Sequence, residues 1–392
     1  MNYFLSGNAI LKWLENPSVY NVKKDELYEL DEDSFEFLRK CASETGCFSD
    51  KTEFTDYCLQ EELLTKERLL KKHPPLIKSS FPSLRYLELQ ITDKCNLRCR
   101  HCYIGDTITL PSIPSPQGRG SYDMKGHELS LDQIKGVLHE FEEMQGLRVL
   151  ITGGEPLLHS SFHEINKMLP DLFMRKILFT NGLLLSNGIL KSLNVDEIQI
   201  SIDGLENAHD SLRGKGAFKS VMDAIKRSIA AGFEVSVSTM VHAKNLNDFE
   251  EMDKLFNNIG IKDWTVDIPC AIGRLKENSD LYISPEQGGK YLKYGHEGGL
   301  HSGTSGYACG LHLMSVMADG KLAKCTFYAD KPVGRIEEGL KKCWQSIKPV
   351  KLDNLKCDCE HIEACRGGCR YRAELSGDPL GKDLYRCSLY VG

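Results

Sequence analysis

Three cysteines stand in one short run, Cys95-Asn96-Leu97-Arg98-Cys99-Arg100-His101-Cys102-Tyr103. The spacing C-x3-C-x2-C puts three thiolates on one loop, enough for three corners of an iron–sulfur cube. The fourth iron is then left without a protein ligand, and an open coordination position is where a metal site does chemistry. The same three cysteines with His101 also make four zinc donors, although zinc sites more often pair two separated C-x2-C arms. A second group lies near the end of the chain: Cys309, Cys325, Cys357, Cys359, Cys365, Cys369 and Cys387. A zinc ribbon competes with iron–sulfur binding there as well. Cys41, Cys47, Cys58, Cys270 and Cys343 are left over, and most of them read as small buried apolar side chains. Cys270 differs because it closes an apolar run at the end where substrate should lie, so it is a candidate catalytic or ligand residue.

Composition limits what this chemistry serves. Hydrophobic residues make up 41% and charged residues 27% of 392, which is the balance of a globular protein large enough for more than one domain. A net charge of −6 argues against nucleic acid or an anionic membrane as partner. No run reaches the roughly 18 apolar residues of a membrane helix. Residues 1–14 lack a basic segment followed by a long apolar one, so no export signal is expected. With 15 cysteines and no such signal, metal binding in the reducing cytoplasm is the expectation rather than disulfides.

The elements that must position these residues alternate. Residues 85–92, 147–152, 176–180, 196–202, 234–241 and 264–269 read as strands. Helical patterns over 131–141, 162–172, 218–231 and 246–257 lie between them. Ser130 caps the first helix, whose Leu131, Ile134, Leu138 and Phe141 share a face. Such alternation implies an α/β fold with a parallel sheet and right-handed crossovers, either doubly wound or a partial barrel. In barrels the reactive groups sit on loops after the strands, and the three-cysteine loop follows the first strand. Before this core, 18–30 reads as two strands about a Lys-Lys-Asp-Glu turn, 31–41 as a helix, 53–70 as a further helical stretch and 72–82 as a linker. The stretch 104–126, rich in Pro, Gly and Ser, reads as a flexible lid. The segment from about 295 is rich in Cys and Gly and depends on metal for its stability.

Cys95, Cys99 and Cys102, with Tyr103 behind them, resemble the signature of the radical SAM (S-adenosylmethionine) superfamily. Further stations follow in order: Thr152-Gly153-Gly154-Glu155-Pro156 after strand two, Thr180-Asn181-Gly182 after strand three, Ser201-Ile202-Asp203-Gly204 after strand four and Gly273-Arg274 beyond strand six. The resemblance spans about 84–274. It implies a partial (β/α)6 TIM-like barrel in which a 4Fe–4S cluster binds SAM through its open iron, and an electron from that cluster yields a 5′-deoxyadenosyl radical. It also implies that Gly153, Gly154, Glu155 and Pro156 contact the SAM amino group. Tyr103, Thr180, Asn181, Ser201 and Asp203 are the further cofactor-binding positions, and Arg213 is the partner of the SAM carboxylate.

The late cysteines resemble the SPASM extension of the same enzymes, which holds two auxiliary 4Fe–4S clusters. By that resemblance Cys309, Cys325 and Cys369 serve the nearer cluster, and Cys357, Cys359, Cys365 and Cys387 the farther one. One residue rather than two separates Cys357 from Cys359. Seven cysteines leave two cubes one corner short, so the nearer cluster has an open iron or a non-cysteine ligand. Residues 1–80 resemble a winged-helix recognition element for ribosomally made, modified peptides, and read equally as a plain capping domain. Residues 81–294 then form the radical SAM core and 295–392 the SPASM domain.

The expected activity is hydrogen abstraction from a precursor peptide carrying a leader, with a crosslink such as a thioether. A flavodoxin- or ferredoxin-type protein would supply electrons. Tetrapyrrole side-chain chemistry in haem biosynthesis is a second reading, and a non-catalytic iron–sulfur electron carrier a third.

Overall fold

The computed structural model describes residues 2–50, 52–68, 74–105, 126–296 and 306–390. The expected lid falls mostly outside the described residues, as do parts of the linker and of the second N-terminal helical stretch.

The N-terminal part contains β1 (Asn2–Leu5), β2 (Ala9–Trp13), β3 (Pro17–Asn21), β4 (Glu26–Glu29), α1 (Glu32–Cys41), β5 (Cys47–Phe48), α2 (Thr52–Gln60) and β6 (Leu64–Thr65). The expected pair of strands and first helix are present. Asp31 caps α1 by accepting from Ser34 N at 2.7 Å. Two strands precede the expected ones, so β2, β3 and β4 form an antiparallel sheet and β1 pairs with β5 and β6. The helical stretch expected over 53–70 ends at Gln60, and the chain continues through β6.

The core follows with β7 (Tyr86–Thr92), α3 (Leu131–Glu143), β8 (Arg148–Gly153), α4 (Phe162–Met168), β9 (Arg175–Thr180), α5 (Asn187–Ser192), β10 (Glu197–Ser201), α6 (Glu206–Arg213), α7 (Ala217–Ala230), β11 (Glu234–Met240), α8 (Phe249–Ile259) and β12 (Trp264–Asp267). Strands β7 to β12 are parallel and neighbours in chain order, the partial α/β barrel that the family resemblance implied and one of the two arrangements the alternation left open. Their apolar residues, such as Leu89, Ile151, Leu178, Ile200 and Val237, are at most 1% exposed, because they share one core with Ile134 and Leu138 of α3 and Val221 of α7. Ser130 and Gln133 form a full capping box at the start of α3.

After α9 (Pro285–Gly288), β13 (Leu313–Val316), β14 (Lys321–Ala323) and β15 (Gly334–Arg335) extend the sheet on the other side of β7. Strand β13 is parallel to β7. The C-terminal segment is thus joined to the barrel by backbone pairing, which sequence reading missed because Leu313-Met314-Ser315-Val316 is too short to show a period. Helices α10 (Leu340–Ser346), α11 (Ile362–Cys365), α12 (Arg370–Leu375) and α13 (Leu384–Tyr390) complete the chain.

The N-terminal part clamps onto the end of the barrel where the strands begin. Asp25, in the β3–β4 turn, pairs with Arg148 at the start of β8 and lies 3.4 Å from Arg175 at the start of β9. Arg175 also pairs with Glu197 at 2.8 Å and with Glu234, the first residues of β10 and β11. Lys12 is fully buried and donates to Gly146 O at 2.7 Å and Phe173 O at 2.9 Å. The opposite end of the barrel is left for the site.

Candidate functional site

The loops after the strand C-terminal ends enclose a cavity of about 120 Å³. Its wall brings together residues far apart in sequence: Cys95, Cys99 and Cys102 after β7, Gly153 and Gly154 after β8, Thr180 and Asn181 after β9, Ser201 and Asp203 after β10, Arg213 at the end of α6, and Cys270 after β12. Tyr103 lines it too. Cys95 and Cys99 are buried and Cys102 half-buried.

Local backbone geometry explains the glycines. Gly154 N donates to Thr92 O and Glu155 N to Lys94 O, both at 2.8 Å, so the β8 turn is laced to the start of the cysteine loop. A Cβ on Gly154 would stand 2.3 Å from Lys94 O, and Gly153 has φ +147°. Only glycine permits this approach.

Glu155 is completely buried. Its carboxylate accepts from Thr180 Oγ1 at 2.8 and 2.9 Å and from Asn181 N at 2.9 Å. Burial pushes its pKa up to about 7 against those hydrogen bonds. It also caps the short turn begun by Pro156, accepting from Leu157 N. Asn181 Nδ2 in turn donates to Asn96 Oδ1 at 2.7 Å. A chain of bonds therefore runs from the β8 turn through the β9 turn into the cysteine loop. The Glu155 side chain acts by holding that chain together, while the adjacent glycines form the wall.

Asp203 is the electrostatic centre. Arg213 Nε donates to its Oδ2 at 2.6 Å, and Met240 N donates to its Oδ1 at 2.9 Å. Burial would raise its pKa, but Arg213, His101 and His209 hold the carboxyl well below the usual range. Arg213 Nη1 also lies 3.9 Å from Cys99 Sγ. His101 Nε2 is 3.5 Å from Asp203 Oδ2. Burial pushes the His101 pKa down to about 4, and its Nδ1 has no hydrogen-bond partner among the described residues. Arg274 ties the sixth loop to the first, donating through Nε to Cys99 O at 2.9 Å and through its backbone N to Cys102 O at 3.0 Å.

The late cysteines fall into two places. Cys357, Cys359, Cys365 and Cys387 line one cavity of about 440 Å³. Cys325 interacts electrostatically with Cys309 and Cys369, and burial pushes its thiol pKa up. Strand β7 positions Cys325 through Glu88, whose carboxylate accepts from Thr326 N at 3.1 Å and from its hydroxyl. Tyr103 meets Phe327 edge-on, with 6.5 Å between ring centroids, so this loop also touches the central cavity. Among the described residues, no three His, Cys, Asp or Glu side chains are drawn up around a single ion position; the thiols are grouped by the cavities and loops they share.

Sequence reading missed Ser238, Met240, Phe179 and Phe327 in the cavity wall, and met His101 only as a zinc donor. Position at the end of a strand was the available signal for Met240. Nothing local marks Phe327, which arrives by the β14–β15 connection.

Residues 89–256 match the Radical SAM superfamily. The chain contains a radical SAM domain. Outside that domain the likenesses differ in reach. The AdoMet-dependent heme synthase of Oleidesulfovibrio alaskensis is 28% identical over 219 residues, covering 55% of this chain and 53% of that protein. The chain thus spans about half the length of the first curated relative it matches. The sporulation killing factor maturation protein SkfB of Bacillus subtilis is 28% identical over 311 residues, 74% of this chain and 70% of that protein. The crystal structure of Streptococcus suis SuiB bound to its precursor peptide SuiA superposes with a TM-score of 0.65 at 14% identity, covering 98% of this chain and all of SuiB. The fold is therefore matched beyond the half-barrel, at both ends of the chain. Among the described residues no helix is long and apolar enough to cross a membrane.

Proposed function

We propose that this radical SAM enzyme cleaves S-adenosylmethionine reductively and uses the product to modify a ribosomally made peptide. The observation that carries the reading is the single cavity in which Cys95, Cys99 and Cys102 face Gly153, Gly154, Ser201 and Arg213. The donor set fits the group: three thiols suit three irons of a cube, Gly153 and Gly154 line the same cavity, and the buried His101 Nδ1 lacks a partner among the described residues. When bound, the cluster supplies the electron that breaks a carbon–sulfur bond of SAM.

The chain's own residues do the rest. Cys95, Cys99 and Cys102 hold the cluster on a loop pinned by Arg274 and Asn181. The Gly153–Gly154 backbone takes the SAM amino end, and Ser201 and the Asp203–Arg213 pair orient the carboxylate end. The buried loops exclude water from a reactive species. Cys309, Cys325 and Cys369 hold a nearer auxiliary cluster, and Cys357, Cys359, Cys365 and Cys387 a farther one, making three 4Fe–4S clusters in all. A flavodoxin- or ferredoxin-type partner delivers the electron, in the cytoplasm. Residues 1–80, 81–294 and 295–392 serve as peptide-recognition, radical SAM and SPASM domains.

A peptide substrate is supported by the likeness to SkfB, a maturation protein, and by full-length superposition on SuiB with its precursor peptide. A thioether crosslink is the bond proposed. The test is mass spectrometry of precursor peptides from the gene's neighbourhood after incubation with holoenzyme, SAM and reductant. A SAM-dependent loss of hydrogen mass is expected, and unchanged masses for every such peptide would contradict the reading.

The heme synthase relatives favour a second reading, action on tetrapyrrole side chains. Incubation with a tetrapyrrole in place of peptide discriminates. Truncation of residues 1–80 does not, because it would strip Asp25 from Arg148 and Arg175.

A further inference from the structure

Cys270 lies in the loop after β12 and is 4% exposed. Its thiol neighbours the Cys369 thiol, which in turn neighbours Cys325. One guanidinium fixes both cysteine-bearing loops. Arg372 Nη1 donates to Asp267 Oδ1 at 2.7 Å and to Ile268 O at 2.9 Å, two residues before Cys270. Its Nη2 donates to Asp383 at 2.9 Å, and Asp383 accepts from Cys369 N at 2.7 Å. Arg372 is itself buried and paired with both carboxylates, so it locks the two loops together. The other unassigned cysteines lie elsewhere. Cys41 and Cys58 pack in the N-terminal core, with Cys47 against it, and Cys343 donates to Arg335 O.

We propose that Cys270 is the fourth thiolate of the nearer auxiliary cluster, completing Cys309, Cys325 and Cys369. This rests on the reading of the C-terminal segment as cluster-binding. Soft thiolate is the ligand that iron–sulfur iron favours, and four close a cube. The barrel itself, not the SPASM segment, then supplies the missing corner. The nearer cluster has no open iron, so it does not hold a substrate sulfur. Because Cys270 also lines the central cavity, the cluster is anchored in the wall of the space where SAM is cleaved.

The test uses the full chain with Cys95, Cys99 and Cys102 all changed to Ala, reconstituted anaerobically with iron and sulfide, so that only auxiliary iron remains. This background should hold about eight irons per chain. Adding Cys270→Ala should remove between one and four of them and change the electron paramagnetic resonance spectrum of the reduced protein. Adding Cys270→Ser, whose oxygen can still ligate, should keep more iron but shift the spectrum. Cys343→Ala, an equally buried control, should change neither. If Cys270→Ala loses secondary structure by circular dichroism, the serine variant decides. Iron content and spectrum unchanged in both Cys270 variants would overturn the proposal alone. A background with no iron at all would overturn it together with the reading on which it rests.

Discussion

Arg213 Nε and Asp203 Oδ2 stand 2.6 Å apart directly behind the cysteine loop, the acid fully buried and the arginine side chain 10% exposed. Breaking a buried pair by removing one partner costs about 3–5 kcal/mol, because the other charge is left uncompensated. Arg213→Ala should therefore lower the thermal midpoint of the holoprotein and weaken SAM binding at least tenfold by calorimetry. Arg213→Lys should recover part of the stability and less of the binding, since a point charge does not replace the guanidinium fork. Since Asp203 is held below its usual pKa, the pair's contribution is present at neutral pH and lost only in acid.

Gly154→Ala tests the approach of the glycine turn to the cysteine loop. The new methyl would stand 2.3 Å from Lys94 O, a backbone atom that cannot step aside alone. The variant should fold but lose SAM binding, and should load less iron on the Cys95–Cys102 loop while auxiliary iron stays. Wild-type affinity by calorimetry would refute this geometry.

Lys12 gives a pH signature far from any cluster. Burial lowers its pKa from 10.5 to about 7. Between those values the unfolded chain binds the extra proton, so this residue's contribution to stability rises as pH increases from about 7 to 10.5. Each pKa unit corresponds to about 1.4 kcal/mol. Lys12→Met cannot titrate, so the stability difference between parent and variant in urea unfolding should move by a few kcal/mol, in the parent's favour, across that window. A difference independent of pH would contradict the burial of this amine.

Asp25 is the acid that pairs with Arg148, and it adds to Glu197 and Glu234 around Arg175, where the N-terminal part meets the barrel. Asp25→Ala should destabilise the chain by about 3–5 kcal/mol. Asp25→Asn keeps the shape and should still cost most of that. Limited proteolysis should then cut more readily between the N-terminal part and the barrel.

How far the sequence reached follows from what each feature depends on. The six barrel strands were legible within a few residues, because buried parallel strands are short apolar runs ended by Gly, Ser or Asn. The site stations were legible for the same reason: Gly153, Thr180, Ser201 and Cys270 mark strand ends, and strand ends converge. Helix α6 was not. Its Glu206–Arg213 sequence is polar, with Ala208, His209 and Leu212 buried, so Arg213 read as either a loop residue or a SAM partner. The structure buries it against Asp203. Lys12 and Asp25 were invisible, since their burial depends on a docking that no local pattern encodes. The approach of Cys270 to Cys369 joins two segments about a hundred residues apart, which no spacing in the sequence marks.

The most direct measurement of the central claim is chromatographic detection of 5′-deoxyadenosine after the anaerobic, iron-loaded protein is mixed with SAM and dithionite. The account predicts release of 5′-deoxyadenosine by the parent chain and none by the variant with Cys95, Cys99 and Cys102 changed to Ala, although that variant keeps its auxiliary iron. Equal release by both, or none by a parent fully loaded with iron, would contradict it.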